Sequence, residues 1–190
     1  KSIAKILDKY CDIVLVGDSM ANVLYGLKDT HKISMKNIIQ HTNSVKKGIK
    51  KSLLVVDMPK GTYSNIVSAK KNAKQIIKIT KCDAVKIESN NKNFGIIAEL
   101  VKSNIPVMGH IGYTPQFKKK FQVEGNTEKK AKKLLNEALQ IEKAGAFCIV
   151  LECLAPIASK LISKNLEIPT IGIGSSNYCD GQILVTDDML

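Results

Sequence analysis

The sequence predicts an α/β protein of the (β/α)8 TIM-barrel class, and three observations support this. Short apolar runs of β type alternate with longer segments of helical periodicity along the 190 residues, as in parallel strands joined by helical crossovers. Most of these runs end in a polar residue that can bind a metal, a proton or an anion. In a barrel such ends meet on one face, whereas the alternative, a doubly wound open sheet, spreads them along a line.

Seven apolar runs are the predicted strands: residues 13–17, 53–57, 84–88, 106–110, 148–151, 170–174 and 183–186. Ser34 and Thr127 are of the type that caps the start of a helix, and Gly48 and Gly145 are of the type that follows its end. Between these residues, apolar side chains recur every three or four positions. They are Ile38, Ile39, Thr42, Val45 and Ile49 in one helix, and Ala131, Leu134, Leu135, Ala138 and Ile141 in the other.

The length and the 44% hydrophobic content predict a single domain over residues 1–190. Residues 2–10 have helical spacing, so the chain opens on a helix, although a (β/α)8 barrel begins with a strand. Residue 190 falls where a last helix is expected to follow. We therefore expect this span to be an incomplete barrel that lacks its first strand and its last helix.

The formal charge of +12 raises the possibility of nucleic-acid binding. All 29 basic residues are lysines, with little aromatic interleaving, so the bidentate base contacts of arginine are missing. No apolar run reaches the roughly 20 residues that a membrane span requires. We therefore expect neither a nucleic-acid nor a membrane partner.

The cysteines point to a reducing compartment. They are Cys11, Cys82, Cys148, Cys153 and Cys179, an odd number without any C-x-x-C pair. This usage predicts a cytoplasmic protein whose cysteines serve as small buried side chains rather than as metal ligands.

Three carboxylates end successive predicted strands: Asp18, Asp57 and Glu88. Hard oxygen ligands of this kind suit Mg²⁺ rather than a structural zinc ion. Each residue alone could equally cap the next helix. The three together, with Lys86, His110 and Glu152 at comparable positions, favour a shared active site.

Glu152 ends an apolar strand and would be partly shielded from water, which suits a general base, although an ion pair with a lysine is the alternative. His110 lies between Gly109 and Ile111-Gly112, where the backbone can approach a ligand closely. Ser19, in Gly17-Asp18-Ser19, is the residue that would act as nucleophile in a GDS-type esterase. That hypothesis lacks its base, because no late Asp-x-x-His pair follows and His110 is the last histidine.

Several sequence blocks, taken together, resemble the ketopantoate hydroxymethyltransferase family. They are V-G-D-S (16–19), L-V-V-D-M-P (54–59), V-K-I-E (85–88), G-H-I-G-Y-T-P-Q (109–116), V-L-E-C (150–153), I-G-I-G (171–174) and D-G-Q-I-L-V (180–185). The similarity covers nearly the whole chain. It implies a metal-dependent barrel of the phosphoenolpyruvate/pyruvate type that adds a hydroxymethyl group from 5,10-methylenetetrahydrofolate to 3-methyl-2-oxobutanoate, on the pantothenate pathway.

The resemblance also implies roles for particular residues. Asp18, Asp57 and Glu88 correspond to the metal site, with Mg²⁺ or a similar ion stabilising an enolate. Ser19, Asp57 and Lys86 correspond to contacts with the 2-oxo acid, Glu152 to the general base, and His110 to an active-site histidine. The family implies a homo-oligomer, expected to be a ring-like decamer.

The chain departs from the family pattern in three places. Ala21-Asn22 and Ser89-Asn90 stand where the family usually has glycines, and the segment 117–125 is shorter than usual. Two other functions remain open at this point. One is a metal-dependent lyase or mutase of the same barrel class, which would normally bring a catalytic cysteine motif, and the other is a non-catalytic paralogue or fragment.

Overall fold

The computed structural model describes residues 1–189. They form two compact units, the first made of residues 1–86 and 102–106, and the second of residues 87–101 with those from 107 onward. Both units are built from parallel strands that alternate with helices.

The first unit contains short β-strands between helices. Its elements are α1 (Ser2–Leu7), β1 (Ile13–Val16), α2 (Met20–Val23), a 3-10 turn (Thr30–Lys32), α3 (Met35–Lys46), β2 (Leu53–Asp57), α4 (Ile66–Thr80) and the start of β3 (Ala84–Glu88). β1 pairs with β2 and β2 with β3, all in parallel. The middle of β2 is completely buried, so this strand is hydrophobic on both faces, as in other parallel sheets.

Polar side chains set the helix starts in both units. Ser34 accepts a hydrogen bond from the backbone of Asn37, whose side chain bonds back to Ser34, so α3 begins with a capping box. Thr127 accepts from the backbone of Lys130 at the start of α6 (Glu128–Lys143). Both predicted N-caps are thus confirmed.

The second unit continues the same alternation. Besides α6, its elements are the end of β3, α5 (Phe94–Val101), β4 (Val107–Gly112), β5 (Cys148–Glu152), α7 (Pro156–Asn165), β6 (Thr170–Ile173), β7 (Gly181–Gln182) and α8 (Thr186–Met189). β4, β5, β6 and β7 pair in that order, all in parallel. α6 packs directly on β4, where a Cβ at Gly109 would lie 2.5 Å from Cγ2 of Ile141. Only glycine allows this close approach.

The strand predictions hold for six of the seven runs. β4 and β5 extend further toward their C-terminal ends than predicted, to Gly112 and Glu152. The strand predicted over residues 183–186 is wrong, because β7 is Gly181–Gln182 and Thr186 already begins α8. Residues 183–185 are apolar and resemble a strand in the sequence. The side chain of Leu184 is nevertheless 65% exposed, so these residues do not form a buried strand.

Three of the five cysteines are buried as predicted, whereas Cys11 and Cys179 are partly exposed. All five are free thiols, and Cys82, Cys148 and Cys153 are buried. Burial raises the pKa of Cys148 to about 12, so this thiol stays protonated. Within residues 1–189 no helix is both long enough and apolar enough to cross a membrane.

Candidate active site

The first unit gathers polar side chains at the C-terminal ends of β1, β2 and β3; we call Asp18, Ser19, Asp57 and Lys86 the Asp57 cluster. Asp57 ends β2, and its Oδ2 accepts a hydrogen bond of 2.9 Å from the backbone N–H of Asp18. Its Oδ1 lies 2.8 Å from Nζ of Lys86. The Lys86 and Asp57 side chains are only 6% and 5% exposed, so the two opposite charges are held against each other almost out of water.

Ser19 lies beside this carboxylate. It is the residue before α2, but its side chain makes no capping hydrogen bond. A Cβ at Gly17 would lie 3.0 Å from Oγ of Ser19 and 3.4 Å from Oδ2 of Asp57, so both oxygens border the space that Gly17 leaves. The Ser19 hydroxyl is therefore near Asp57 and not used for capping.

The second unit contains another cluster at strand ends, formed by Glu88, His110 and Glu152; we call it the His110 cluster. Nε2 of His110 lies 3.1 Å from Oε2 of Glu152, and Nδ1 lies 3.8 Å from Oε1 of Glu88. The side chains of His110 and Glu88 are 2% exposed, whereas that of Glu152 is 20% exposed. The imidazole thus stands between a buried carboxylate and one that water or a substrate can reach.

Two residues that the sequence analysis did not single out hold Glu88. The backbone N–H of Gln116 donates to Oε2 of Glu88 at 2.9 Å, and the side-chain amide of Asn93 donates to the Glu88 carbonyl at 2.8 Å. The signal for Gln116 in the sequence is its place in the G-H-I-G-Y-T-P-Q block. Asn93 carried no signal in the sequence.

Tyr113 is a further residue that the sequence analysis did not assign. Its backbone N–H donates to the carbonyl of Glu152 at 2.8 Å. Gly112, just before it, has φ +96°, and a Cβ there would run into the same carbonyl oxygen. Burial, followed by the negative charges of Glu152 and Glu88, raises the pKa of Tyr113.

Comparison with known proteins identifies the family. The model of the ketopantoate hydroxymethyltransferase family matches residues 1–190. The chain belongs to this family. It is 50% identical to the 3-methyl-2-oxobutanoate hydroxymethyltransferase of Pelagibacter ubique over all of this chain and 74% of that protein. It is 47% identical to the enzyme of the same name from Campylobacter curvus, over 98% of this chain and 71% of that protein.

Solved structures with the same fold belong to a wider group of enzymes. A 2,3-dimethylmalate lyase, described as a PEP mutase/isocitrate lyase superfamily member, matches with a TM-score of 0.62 at 14% identity, over 88% of this chain. The chain spans 62% of that structure's length. Oxaloacetate acetylhydrolase matches with a TM-score of 0.64 at 11% identity, over 97% of this chain and 66% of its own.

These comparisons confirm the predicted barrel fold, the family and the transferase class of this hydroxymethyltransferase family member. The lyase or mutase alternative is not favoured, because likeness at 11–14% identity shows the fold alone. Cys153, next to Glu152, also lacks the character of a nucleophile: burial and then the charge of Glu152 raise the pKa of its thiol to about 11.

The oxygen donors of this family member fit a hard divalent cation. The backbone N–H of Asp18 donates to the carboxylate of Asp57, so these two acidic residues are neighbours at the strand ends. Among residues 1–189 no group of three or more His, Cys, Asp or Glu side chains is arranged to hold a metal. Mg²⁺ usually binds proteins through one or two carboxylates and takes its other ligands from substrate and water, so a pair of carboxylates is sufficient for it.

The side chains that stand in place of the family's glycines are accommodated by contacts with nearby residues. Ala21 is fully buried in α2, and Asn22 donates from its amide to the carbonyl of Leu27 at 2.9 Å. Oγ of Ser89 accepts from the N–H of Asn91 at 3.3 Å, and Oδ1 of Asn90 accepts from the N–H of Lys92 at 3.0 Å. These side chains stabilise turns, so the added atoms are accommodated.

Proposed function

We propose that this chain transfers a hydroxymethyl group from 5,10-methylenetetrahydrofolate to 3-methyl-2-oxobutanoate, in the pathway to pantothenate. In this reaction the C3–H bond of the oxo acid breaks, a bond forms between C3 and the methylene carbon, and the two C–N bonds of that carbon to the folate break. The C3 proton and one proton of water end on the two folate nitrogens. Water supplies the hydroxyl group, and the products are 2-dehydropantoate and tetrahydrofolate. The family membership supports this reaction, and the two clusters contain the residue types that it requires.

The observation that carries the proposal is the environment of Glu152. Its carboxylate ends an apolar strand, is 20% exposed, and lies 3.1 Å from Nε2 of His110. A carboxylate that a substrate can reach and that lies beside a buried imidazole suits the removal of a carbon-bound proton. We assign Glu152 as the general base and His110 as the residue that orients it.

The Asp57 cluster would bind the oxo acid. Lys86 is a fixed cation that can pair with the substrate carboxylate, and the Ser19 hydroxyl beside Asp57 can donate a hydrogen bond to it. Asp18, Asp57 and Glu88 are the carboxylates that would hold Mg²⁺. The ion, when bound, would polarise the keto group and so acidify the neighbouring C3–H bond.

Further parts of the proposal concern the whole protein. We propose that it works in the cytoplasm as a homo-oligomer, with the family's decamer as the expected size. Its partners would be small molecules, namely a 2-oxo acid and a folate.

The substitution Glu152→Gln tests the proposed base. It removes the base without removing bulk, so exchange of the substrate C3 proton with deuterated water should fall to background, while binding of Mg²⁺ and of the oxo acid persists. Proton NMR without any folate measures the exchange, and calorimetry measures binding. Glu167→Gln, at an exposed glutamate of the same unit, is the matched control. Exchange at the parent rate in Glu152→Gln would remove Glu152 from this role.

A further inference from the structure

The segment between β4 and α6 is anchored at both ends on the strand that carries Glu152. At its start, the N–H of Tyr113 donates to the carbonyl of Glu152 at 2.8 Å. At its end, the N–H of Glu124 donates to the carbonyl of Cys153 at 2.9 Å. Both ends of this segment are therefore held at the end of β5.

Lys118 closes this segment into a loop. Its Nζ donates to the carbonyl of Gly112 at 2.7 Å and lies 2.9 Å from Oε1 of Glu124. One ammonium group thus joins the start of the segment to its end. Burial opposes ionisation of Glu124, but the hydrogen bonds from Lys118 and Gln122 outweigh it and lower the pKa of this carboxyl, as expected for a stable ion pair.

The closed loop presents an aromatic pair. The rings of Tyr113 and Phe121 meet edge to face, with centroids 5.1 Å apart and planes at 74°. Tyr113 is half-buried and is bound through its backbone to Glu152, whereas Phe121 is 67% exposed and the nearby Val123 is 57% exposed. An aromatic ring that contacts a second ring and is open to water offers a flat apolar face for a ligand.

We propose that the exposed ring of Phe121, backed by Tyr113, is the surface on which the pterin ring of the methylene donor packs. This inference rests on the proposed function, in which the methylene carbon must reach a C3 atom that Glu152 has deprotonated. A flat heteroaromatic ring gains most from stacking on an aromatic face. The loop attaches directly to the strand end that carries Glu152, so it can hold donor and acceptor within a short distance.

The charge of the loop agrees with the same ligand. Lys119 and Lys120 follow Lys118 and are both exposed, and they lie in sequence next to Phe121. The glutamate tail of a folate is anionic, so these cations can attract it without a fixed ion pair. An apolar face with adjacent positive charge therefore matches the two ends of the donor.

The experiment separates donor binding from proton removal. In Phe121→Ala we expect the KM for 5,10-methylenetetrahydrofolate to rise about tenfold, which corresponds to about 1.4 kcal/mol. The KM for the oxo acid and the donor-free C3 exchange rate should stay at parent values. Phe121→Trp should restore the parent KM, because it supplies another aromatic face. The matched control is Tyr10→Ala, at a residue that is 80% exposed and precedes β1.

The possible outcomes distinguish failure of the proposed function from failure of the aromatic surface alone. If the parent enzyme shows no C3 exchange, the proposed function fails, and this inference fails with it. If the parent exchanges and Phe121→Ala keeps the parent KM for the donor, only the aromatic surface is refuted. A smaller oligomer with an unchanged donor KM would mean that Phe121 packs against a second copy of the chain, which also overturns the proposal.

Discussion

The two polar clusters differ in how far their charged side chains are exposed to water. In the Asp57 cluster, Lys86 and Asp57 are paired at 2.8 Å and are about 95% buried. In the His110 cluster, His110 lies between two carboxylates, and the nearer one, Glu152, keeps 20% of its side chain exposed. The first cluster holds its charges in fixed positions, while the second leaves one charge within reach of solvent.

This difference indicates a division of tasks. A buried ion pair is costly to form, and removing one partner leaves an uncompensated charge, so the Asp57 cluster is suited to hold a substrate or a metal in place. A base must meet its substrate and exchange protons with water. The His110 cluster meets that need, and the comparison can be tested by disturbing each cluster separately.

The largest effect is expected for Lys86→Met. It removes the cation and leaves the Asp57 carboxylate without this partner at a position that is 5% exposed, so we expect the free energy of unfolding to fall by about 3–5 kcal/mol. Urea denaturation measures this. Lys74→Met, at an exposed lysine on α4, is the control and should change stability by less than about 0.5 kcal/mol. Equal losses in the two variants would show that the pair has no special weight.

A smaller effect is expected for His110→Ala, and it should appear in catalysis more than in binding. Without the imidazole 3.1 Å away, Glu152 loses a partner that orients it, and we expect C3 exchange to slow by about 100-fold. The KM for the oxo acid should change little. His110→Gln keeps an N–H donor and should recover part of the rate. A rate loss in His110→Ala that glutamine does not relieve at all would contradict an orienting role.

The smallest effect concerns a carboxylate away from both clusters. Asp8 accepts hydrogen bonds from the backbone N–H groups of Ser52, Lys51 and Lys50. These bonds lower the pKa of its carboxyl from 3.8 to about 2, although burial opposes them in part. Because the folded-state pKa lies below the unfolded one, the resulting stability is complete above about pH 4 and is lost as the pH falls toward 2.

Substitution of Asp8 by Asn should therefore reduce stability at neutral pH, and this difference from the parent should shrink between pH 4 and pH 2. Urea midpoints across that range measure it. Asp12→Asn, at a nearby exposed aspartate, is the control and should show no such pH dependence. A difference that is constant down to pH 2 would show that the hydrogen bonds do not depend on the charge of Asp8.

Sequence patterns predicted the buried strands correctly. β2 and β3 matched their predicted bounds because both are buried, apolar and closed by a charged residue. The strand predicted at 183–186 is wrong because Gly181 and Gln182 are the residues paired with β6, and one further backbone bond, from Ile183 to Gly172, precedes α8. Pattern alone cannot tell whether a neighbouring strand is available at a given register.

The candidate site shows the same limit to what sequence patterns predict. Asp18, Asp57, Lys86, Glu88, His110 and Glu152 could be found in the sequence because each stands at or near a strand end and carries a reactive group. Asn93 could not, and Gln116 had no signal beyond its motif, because they bind Glu88 through a side-chain amide and a backbone N–H respectively. Groups of this kind occur throughout the chain, and only folding gives a few of them a particular partner.

By itself, the sequence determined the alternation of strands and helices, the helix caps at Ser34 and Thr127, the family, and the set of ionisable residues at the strand ends. Only the tertiary structure decided which charges pair, that Glu152 stays reachable while Glu88 does not, and that Lys118 joins Gly112 to Glu124. The physical reason is the distance along the chain over which each effect acts. Hydrophobic periodicity and capping act over a few neighbouring residues, whereas exposure and ion pairing depend on residues that are distant in the chain and meet only when it folds.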